Sequence, residues 1–418
     1  MDNKIKELVE LARKKFGLES YYLKRHSLNQ KITLFQETVY TLTMEWFPNH
    51  VIEHEDEDYN PDGTAIIDIE IKSRKVESAI FVGGISLADG VRFRERNQII
   101  GWIEEETGLT YGRHFILEKE GKGEFRFRGC IDGVSLYPSG HIELQHDKEG
   151  NLTFFTVYGS FPSTDLVSGE TYSLSKDKVE TLIKKQFKLI ELPLYEEERL
   201  IHLYGIEEIF VRNDRVSTIP FNVDTRFYTE INKTIYWDES VRKPFKRKKI
   251  NWIVEITEEQ AFSDEPSPES FPITEEETEK CLEEVTAFLQ QVFPNDSGKW
   301  KLKTLHRDKG YIYAVLREKE QKNQVWKRKL TILIDAQSLE VCNYIDNKPL
   351  LEMFDQFQTS DEAVMTKEDA YEKLKEKIVL TPCYVYDFIE GKFVLCGKLD
   401  CQFGVNASNG EILCLNDL

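Results

Sequence analysis

At the start of the chain the apolar positions fall at Ile5, Leu8, Val9, Ala12 and Phe16, with charged residues between them and Gly17 directly after. That i, i+3, i+4, i+7 spacing places one apolar stripe on a helix, and a glycine just beyond it is a stop signal. A second helix is predicted from Arg94 to Thr107, where Ile99, Ile100 and Ile103 face inward and Gly108 ends the run. Three more helices begin alike. Ser175-Lys176-Asp177 leads into Leu182, Ile183 and Phe187, Thr274-Glu275-Glu276-Glu277 into Leu282, Val285 and Leu289, and Thr366-Lys367-Glu368-Asp369 into Leu374 and Ile378. A Ser or Thr cap followed by acids satisfies orphan backbone N–H groups and complements the helix dipole, and Thr274 with Glu277 is a full capping box.

After each helix the period changes to two, and an alternating strand meets a polar turn and then a second apolar strand. Five such closings stand at Ala65 to Phe81, His141 to Val157, Arg226 to Trp237, Leu330 to Tyr344 and Cys401 to Leu415. Their turns, such as Asp147-Lys148-Glu149-Gly150, Asp335-Ala336-Gln337-Ser338 and Asn406-Ala407-Ser408-Asn409-Gly410, use residues that tolerate a tight or left-handed backbone. One helix on one antiparallel sheet, repeated about five times, is the simplest architecture for a pattern that returns at a roughly constant interval. The predicted fold class is therefore α+β, in tandem helix-plus-antiparallel-sheet units arranged in two halves. Residues 1–160 and 161–240 make the first three units, 241–273 a linker, and 274–418 the last pair. The linker opens with the basic run Arg242-Lys243-Pro244-Phe245-Lys246-Arg247-Lys248-Lys249 and continues to the acidic, Pro-rich stretch Ser263 to Ser270. Such a composition reads as solvated boundary.

The segment from Thr366 to Leu415 resembles the PepSY domain. The helix supplies Thr366, Glu368, Asp369 and Ala370, and the closing hairpin supplies Val405, Asn406, Ala407, Asn409, Gly410, Glu411 and Ile412. The clear match covers this last unit, and the others look like weaker copies, best seen around His141-Ile142-Glu143-Leu144 and around Asp335-Ala336. The resemblance implies a protein that binds peptides or modulates peptidases, and it brings no catalytic residues with it. Members of the family occur in propeptides of secreted metallopeptidases and in tandem bacterial proteins.

Charge and cysteine content narrow the partners. The net charge is −19, from 55 basic and 74 acidic residues, which disfavours a nucleic-acid binder, since that affinity rests on a basic surface releasing counterions. No stretch approaches the roughly 18 apolar residues of a membrane span, and the amphipathic start is unlike a signal peptide. Seven cysteines, an odd number without a C-x-x-C pair, fit free thiols in a reducing compartment, so a cytoplasmic location is expected.

Candidate chemistry is sparse. His50-Val51-Ile52-Glu53-His54 matches the H-x-x-E-H pattern, in which two histidines one helical turn apart bind zinc and the glutamate is the general base. The pattern needs a helix. Pro48, the β-branched Val51 and Ile52, and the turn-like run from Glu55 to Gly63 argue for a polar connection instead. Phe47-Pro48-Asn49-His50 is mirrored by Phe293-Pro294-Asn295-Asp296, which lacks the histidine. Asp58, Asn60 and Asp62 have the D-x-N-x-D-G spacing of half a calcium loop, yet position 69, where the bidentate glutamate belongs, is Ile69. Pro61-Asp62-Gly63 is a good turn by itself. Cys383, Cys396, Cys401 and Cys414 sit in or beside apolar strands, where a free cysteine packs as a small hydrophobe. His306-Arg307-Asp308 and Gly83 to Gly90 match kinase and phosphate-loop motifs in a few letters only. No nucleophile, base and orienter can be named together. The expected function is non-catalytic binding or regulation, with a peptide or protein partner, no cofactor, no nucleic acid and no membrane span. The alternatives are a zinc-dependent hydrolase built on His50, Glu53 and His54, and a purely structural scaffold.

Overall fold

The computed structural model describes residues 2–51, 60–221, 227–238, 244–319 and 327–418. The opening stripe becomes helix α1 (Asn3–Phe16), capped by the Asp2 carboxylate and ended by Gly17 in the left-handed conformation, φ 63°. Its buried residues are Ile5, Leu8, Val9, Ala12 and Phe16, the positions that the spacing selects. A four-stranded antiparallel meander follows: β1 (Tyr21–Ile32), β2 (Thr38–Pro48), β3 (Ala65–Glu70) and β4 (Val76–Phe81). Helix α2 (Arg96–Thr107) ends at left-handed Gly108 and precedes β5 (Phe115–Glu120), β6 (Glu124–Ile131), β7 (Val134–Tyr137), β8 (His141–His146) and β9 (Leu152–Tyr158).

Next come α3 (Glu180–Gln186), β10 (Phe187–Leu194), β11 (Arg199–Ile206), β12 (Ile209–Arg212), β13 (Thr218–Pro220) and β14 (Thr229–Thr234). They are followed by α4 (Glu258–Ser263), α5 (Glu275–Val292) and a second meander, β15 (Trp300–Asp308), β16 (Tyr311–Glu318), β17 (Lys329–Asp335) and β18 (Val341–Asp346). The last elements are α6 (Lys348–Leu351), α7 (Lys367–Leu374), β19 (Val379–Asp387), β20 (Lys392–Asp400), β21 (Phe403–Asn406) and β22 (Ile412–Cys414). Among the described residues no helix is long and apolar enough to cross a membrane. The molecule is a mixed α+β protein dominated by antiparallel sheet.

Contacts divide it into two compact units whose chain stretches interleave. The first takes residues 1–169, 255–270 and 383–394, and the second takes 170–254, 271–382 and 395–418. In the first, strands run in the order β1-β2-β3-β4-β9-β8-β6-β7, with β5 also on β6 and the Cys383–Val385 part of β19 parallel to β7. Its core joins the α1 stripe to Leu42, Met44, Trp46, Ile67, Ile69, Ile99, Ile103, Phe127 and Phe155, all nearly inaccessible. The second unit holds a sheet β14-β15-β16-β17-β18 under α5, a sheet β10-β11-β21-β22, and the set β20-β12-β13. Both Thr274 and Thr366 cap their helices as the sequence predicts, and the Thr274–Glu277 box is complete.

Three closings share one turn. In each, the first residue's N–H donates to the carbonyl five positions on, and the fifth residue, in left-handed conformation, donates back to the first carbonyl. The residues are Glu70, Arg74 (φ 58°) and Lys75, then Asp335, Leu339 (φ 56°) and Glu340, then Asn406, Gly410 (φ 74°) and Glu411. Asp335 and Asn406 add the same brace, each carboxylate or amide oxygen accepting backbone N–H groups inside its turn.

Three expectations change. The closing at Arg226 to Trp237 is no hairpin: Arg226 lies outside the described residues, and β14 pairs antiparallel with β15, sixty-odd residues on in sequence by rough count. Phe47-Pro48 ends strand β2 whereas Phe293-Pro294 follows helix α5, so the two are not equivalent places. The segment 241–273 is also not a solvated linker. Residues 255–270 belong to the first unit, where Ala261, Ser267 and Ser270 are buried. The described part of the basic run belongs to the second unit. There Phe245 packs edge-on to Phe288 at 5.0 Å, Arg247 lies 4.0 Å from the Tyr344 ring centre, and Lys248 donates its N–H to the Cys342 carbonyl on strand β18. Charge runs bury stems and rings while their heads stay wet, which composition alone does not reveal.

Candidate functional site

His50 lies in an exposed turn after β2, where the Val51 N–H closes on the Pro48 carbonyl. Glu53, His54 and Asp58 lie outside the described residues. Asn60 accepts a 3.3 Å hydrogen bond from Arg25, and Asp62 sits in a β-turn closed by the Thr64 N–H on the Pro61 carbonyl, with Gly63 at φ 83°. Among the described residues no group of three His, Cys, Asp or Glu side chains is arranged to hold a metal ion.

The cysteines are all free. Cys130, Cys281, Cys342, Cys383, Cys396 and Cys401 are buried and Cys414 is half-buried. Burial pushes the thiols of Cys130, Cys342 and Cys401 up, and that of Cys281 to about 11, so they stay protonated and unreactive near neutrality. His306-Arg307-Asp308 ends strand β15, and its arginine has a structural partner: both Glu277 oxygens accept from Arg307 Nη2 at 2.6 Å. Gly83 and Gly84 take left-handed conformations in a short connection after β4.

What the first unit presents is a long sheet edge. Strand β1 has twelve residues and pairs with β2 along almost all of them, from Tyr21 opposite Pro48 to Ile32 opposite Thr38, with one irregularity between Leu23 and Arg25. Among the described residues it is the terminal strand of its sheet. Typical strands have about five or six residues, and proteins usually shorten or cover an edge because its free N–H and C=O groups template further pairing.

The side chains of this edge are polar and basic. Lys24, Arg25, His26, Ser27, Asn29 and Lys31 are exposed, and the strand holds no acid in a chain where more than one residue in six is acidic. Arg25 is held by Glu45 at 2.7 Å and Lys31 by Glu77 at 2.6 Å, while the Lys24 ammonium lies 6.0 Å from the Phe47 ring centre. From β1 a line of directly paired polar residues crosses the sheet: Ser27, Thr43, Asp68, Ser78, Thr156, Glu143, Arg126 and Lys119. Within it Asp68 accepts from both the Thr43 and Ser78 hydroxyls, and Glu143 pairs with Arg126 at 3.0 Å and accepts from the Tyr158 hydroxyl at 3.0 Å. These bonds fix the register that presents β1. Sequence reasoning does not single out this strand, because the signal, a long acid-free strand in an acidic chain, has meaning only once its neighbours are known.

Comparison with known proteins adds little. No family profile and no curated protein matches the chain. Among solved structures, the Bacillus megaterium YpeB C-terminal domain is similar over 83% of this chain and 97% of that one, at 9% identity and a TM-score of 0.26. A likeness that weak carries no argument.

Proposed function

We propose that the chain is a non-catalytic binding or regulatory protein built from tandem PepSY-like units, and that it takes an extended, acidic peptide or protein segment along strand β1. The carrying observation is a twelve-residue strand at the end of its sheet, among the described residues, with exposed basic side chains. An added strand would gain main-chain hydrogen bonds from the edge and selectivity from charge, since Lys24, Arg25, His26 and Lys31 are exposed on a strand whose own sequence holds no acid. The same basic row resists pairing between two copies of β1, because like charges would meet across the new seam. The tandem reading draws support from the two helix-then-meander runs, α1 with β1–β4 and α5 with β15–β18, and from the shared turn at Glu70, Asp335 and Asn406. Seven free thiols, six of them buried, support a reducing, cytoplasmic setting.

The test is fluorescence anisotropy with a labelled peptide of alternating Glu and Val, compared with one alternating Lys and Val. The expected result is saturable binding of the acidic peptide alone, weakening as salt screens the contact and falling by about tenfold or more in Lys24→Glu/His26→Glu. Equal binding of both peptides, or an unchanged affinity in the double variant, would sink the assignment to β1.

A further inference from the structure

The first unit already holds a piece of polypeptide in a groove. Residues 257–270 reach it from elsewhere in the chain, and the stretches on either side, up to Val254 and from Phe271, belong to the second unit. The piece brings its own structure. Thr257 and Gln260 form a reciprocal capping box on α4, Asp264 ends the helix in left-handed conformation, and Pro266 and Pro268 fix the backbone through to a tight turn in which the Ser270 N–H donates to the Ser267 carbonyl. A segment folded by local contacts loses little entropy on docking.

The way it is held is the chemistry of peptide recognition. The Tyr40 hydroxyl donates to the Glu265 carbonyl at 2.7 Å, and the Ser267 N–H donates to the Thr38 hydroxyl at 2.8 Å, so two contacts read main chain. Gln30 donates to the Ser267 hydroxyl at 3.1 Å, and Lys72 pairs with Asp264. The fully buried side chains are small ones, Ala261 at 3% exposure and Ser267 at 3%, with Ile256 and Phe262 only partly covered and Lys4 lying 5.1 Å from the Phe262 ring centre. The segment does not fill its seat. A cleft of about 330 Å³ remains beside it, lined by Gln36, Glu37, Thr38 and Lys72 on one side and Asp264, Pro266 and Ser270 on the other.

We infer that this groove is a second peptide-binding site, distinct from the β1 edge, and that residues 257–270 are its ligand held in cis, exchangeable for a segment in trans with the same chemistry. That chemistry is a short capped helical turn carrying a small residue at the Ala261 position, followed by an acid and a Pro-Ser-Pro run. Tethering presents the resident segment at an effective concentration on the order of millimolar, so an outside peptide of equal intrinsic affinity binds poorly until the resident is displaced.

The experiment uses the full chain and a fluorescein-labelled peptide of residues 255–272. Ala261→Arg forces a long charged side chain into a seat sized for a methyl group, and hydrogen exchange over 257–270 reports whether the resident leaves. The expected result is little binding to the unaltered chain and saturable binding to Ala261→Arg, tighter by about a thousandfold in apparent affinity for a tether of about 1 mM against a segment of about 1 µM affinity. Adding Tyr40→Phe, which removes the donor to the Glu265 carbonyl, should weaken that binding by about fivefold or more. A thermal melt identifies a variant that fails to fold, in which case Ser267→Asp, a charge at the other small buried position, takes its place. Release of the segment without binding of the peptide would overturn the inference, as would equal binding to the unaltered and released forms. Lys24→Glu/His26→Glu should leave this binding unchanged, which separates the groove from the β1 edge.

Discussion

The left-handed positions of the three shared turns carry different residues. Gly410 adopts φ 74° at no steric cost, and a Cβ built there would lie 2.9 Å from Lys373 Nζ and 3.1 Å from Met365 Sδ. Gly410→Ala is therefore expected to destabilise the second unit by about 1–2 kcal/mol in urea unfolding, the cost of left-handed backbone plus local displacement. Leu339 occupies the same place at φ 56° and offsets its strain by packing on the α5 core. Titration gives a second prediction. Burial raises the Glu277 carboxyl, but Arg307 and the Thr274 cap outweigh it and the net shift is downward from 4.5. Glu277 thus contributes stability above its unfolded pKa, and that contribution is lost as pH falls through the lower folded value. Glu277→Gln should cost about 1–2 kcal/mol at neutral pH and show a smaller loss on acidification than the parent, as measured by denaturant midpoints from pH 7 down to 3. A third concerns thiols. With Ellman's reagent near neutrality, Cys414 should react first in the native protein and the six buried thiols only on unfolding; fast native reaction of several would contradict the packing. Caps and stop glycines were legible at this scale because their partners lie within a few residues. Thr274, Thr366, Gly17 and Gly108 all act where the spacing puts them. The zinc and calcium spacings met local counter-signals, Pro48 and β-branched neighbours for the one and Ile69 for the other, and only His50, Asn60 and Asp62 of those six residues lie among the described ones.

Among elements, helices and hairpins with short loops could be read, and pairings across long separations could not. Strand β14 shows why: its alternation fits a strand, but nothing local says that its neighbour is β15 rather than the strand before it. The β19–β20 hairpin is the larger case. Its tip, residues 383–394, brings Tyr386 and Phe393 into the first unit beside Phe35 and Leu136, with Phe393 fully buried and 5.2 Å from the Tyr386 ring. Phe393→Ala is expected to destabilise the first unit by about 3–5 kcal/mol, the transfer loss plus a cavity between rings that cannot close. Hydrogen exchange at β7 should rise with it. No change at β7 would mean that the hairpin tip is not part of that core.

Over the whole molecule, composition bears on which partners are disfavoured and says nothing of where one would sit. A net charge of −19 argues against polyanion binding, and against that background the long strand β1 lacks acids altogether. The interleaving of the two units was hidden because composition marks residues 255–270 as polar, while their few small side chains and main-chain contacts are what dock them. The central claim is strand addition at β1, and amide hydrogen exchange resolved to single residues tests it directly. With the acidic peptide at saturation, amides at alternating positions between Lys24 and Lys31, those facing away from β2, should slow by about tenfold or more, and Lys24→Glu/His26→Glu should abolish the protection. Exchange along β1 that stays unchanged while the peptide is bound would contradict the account.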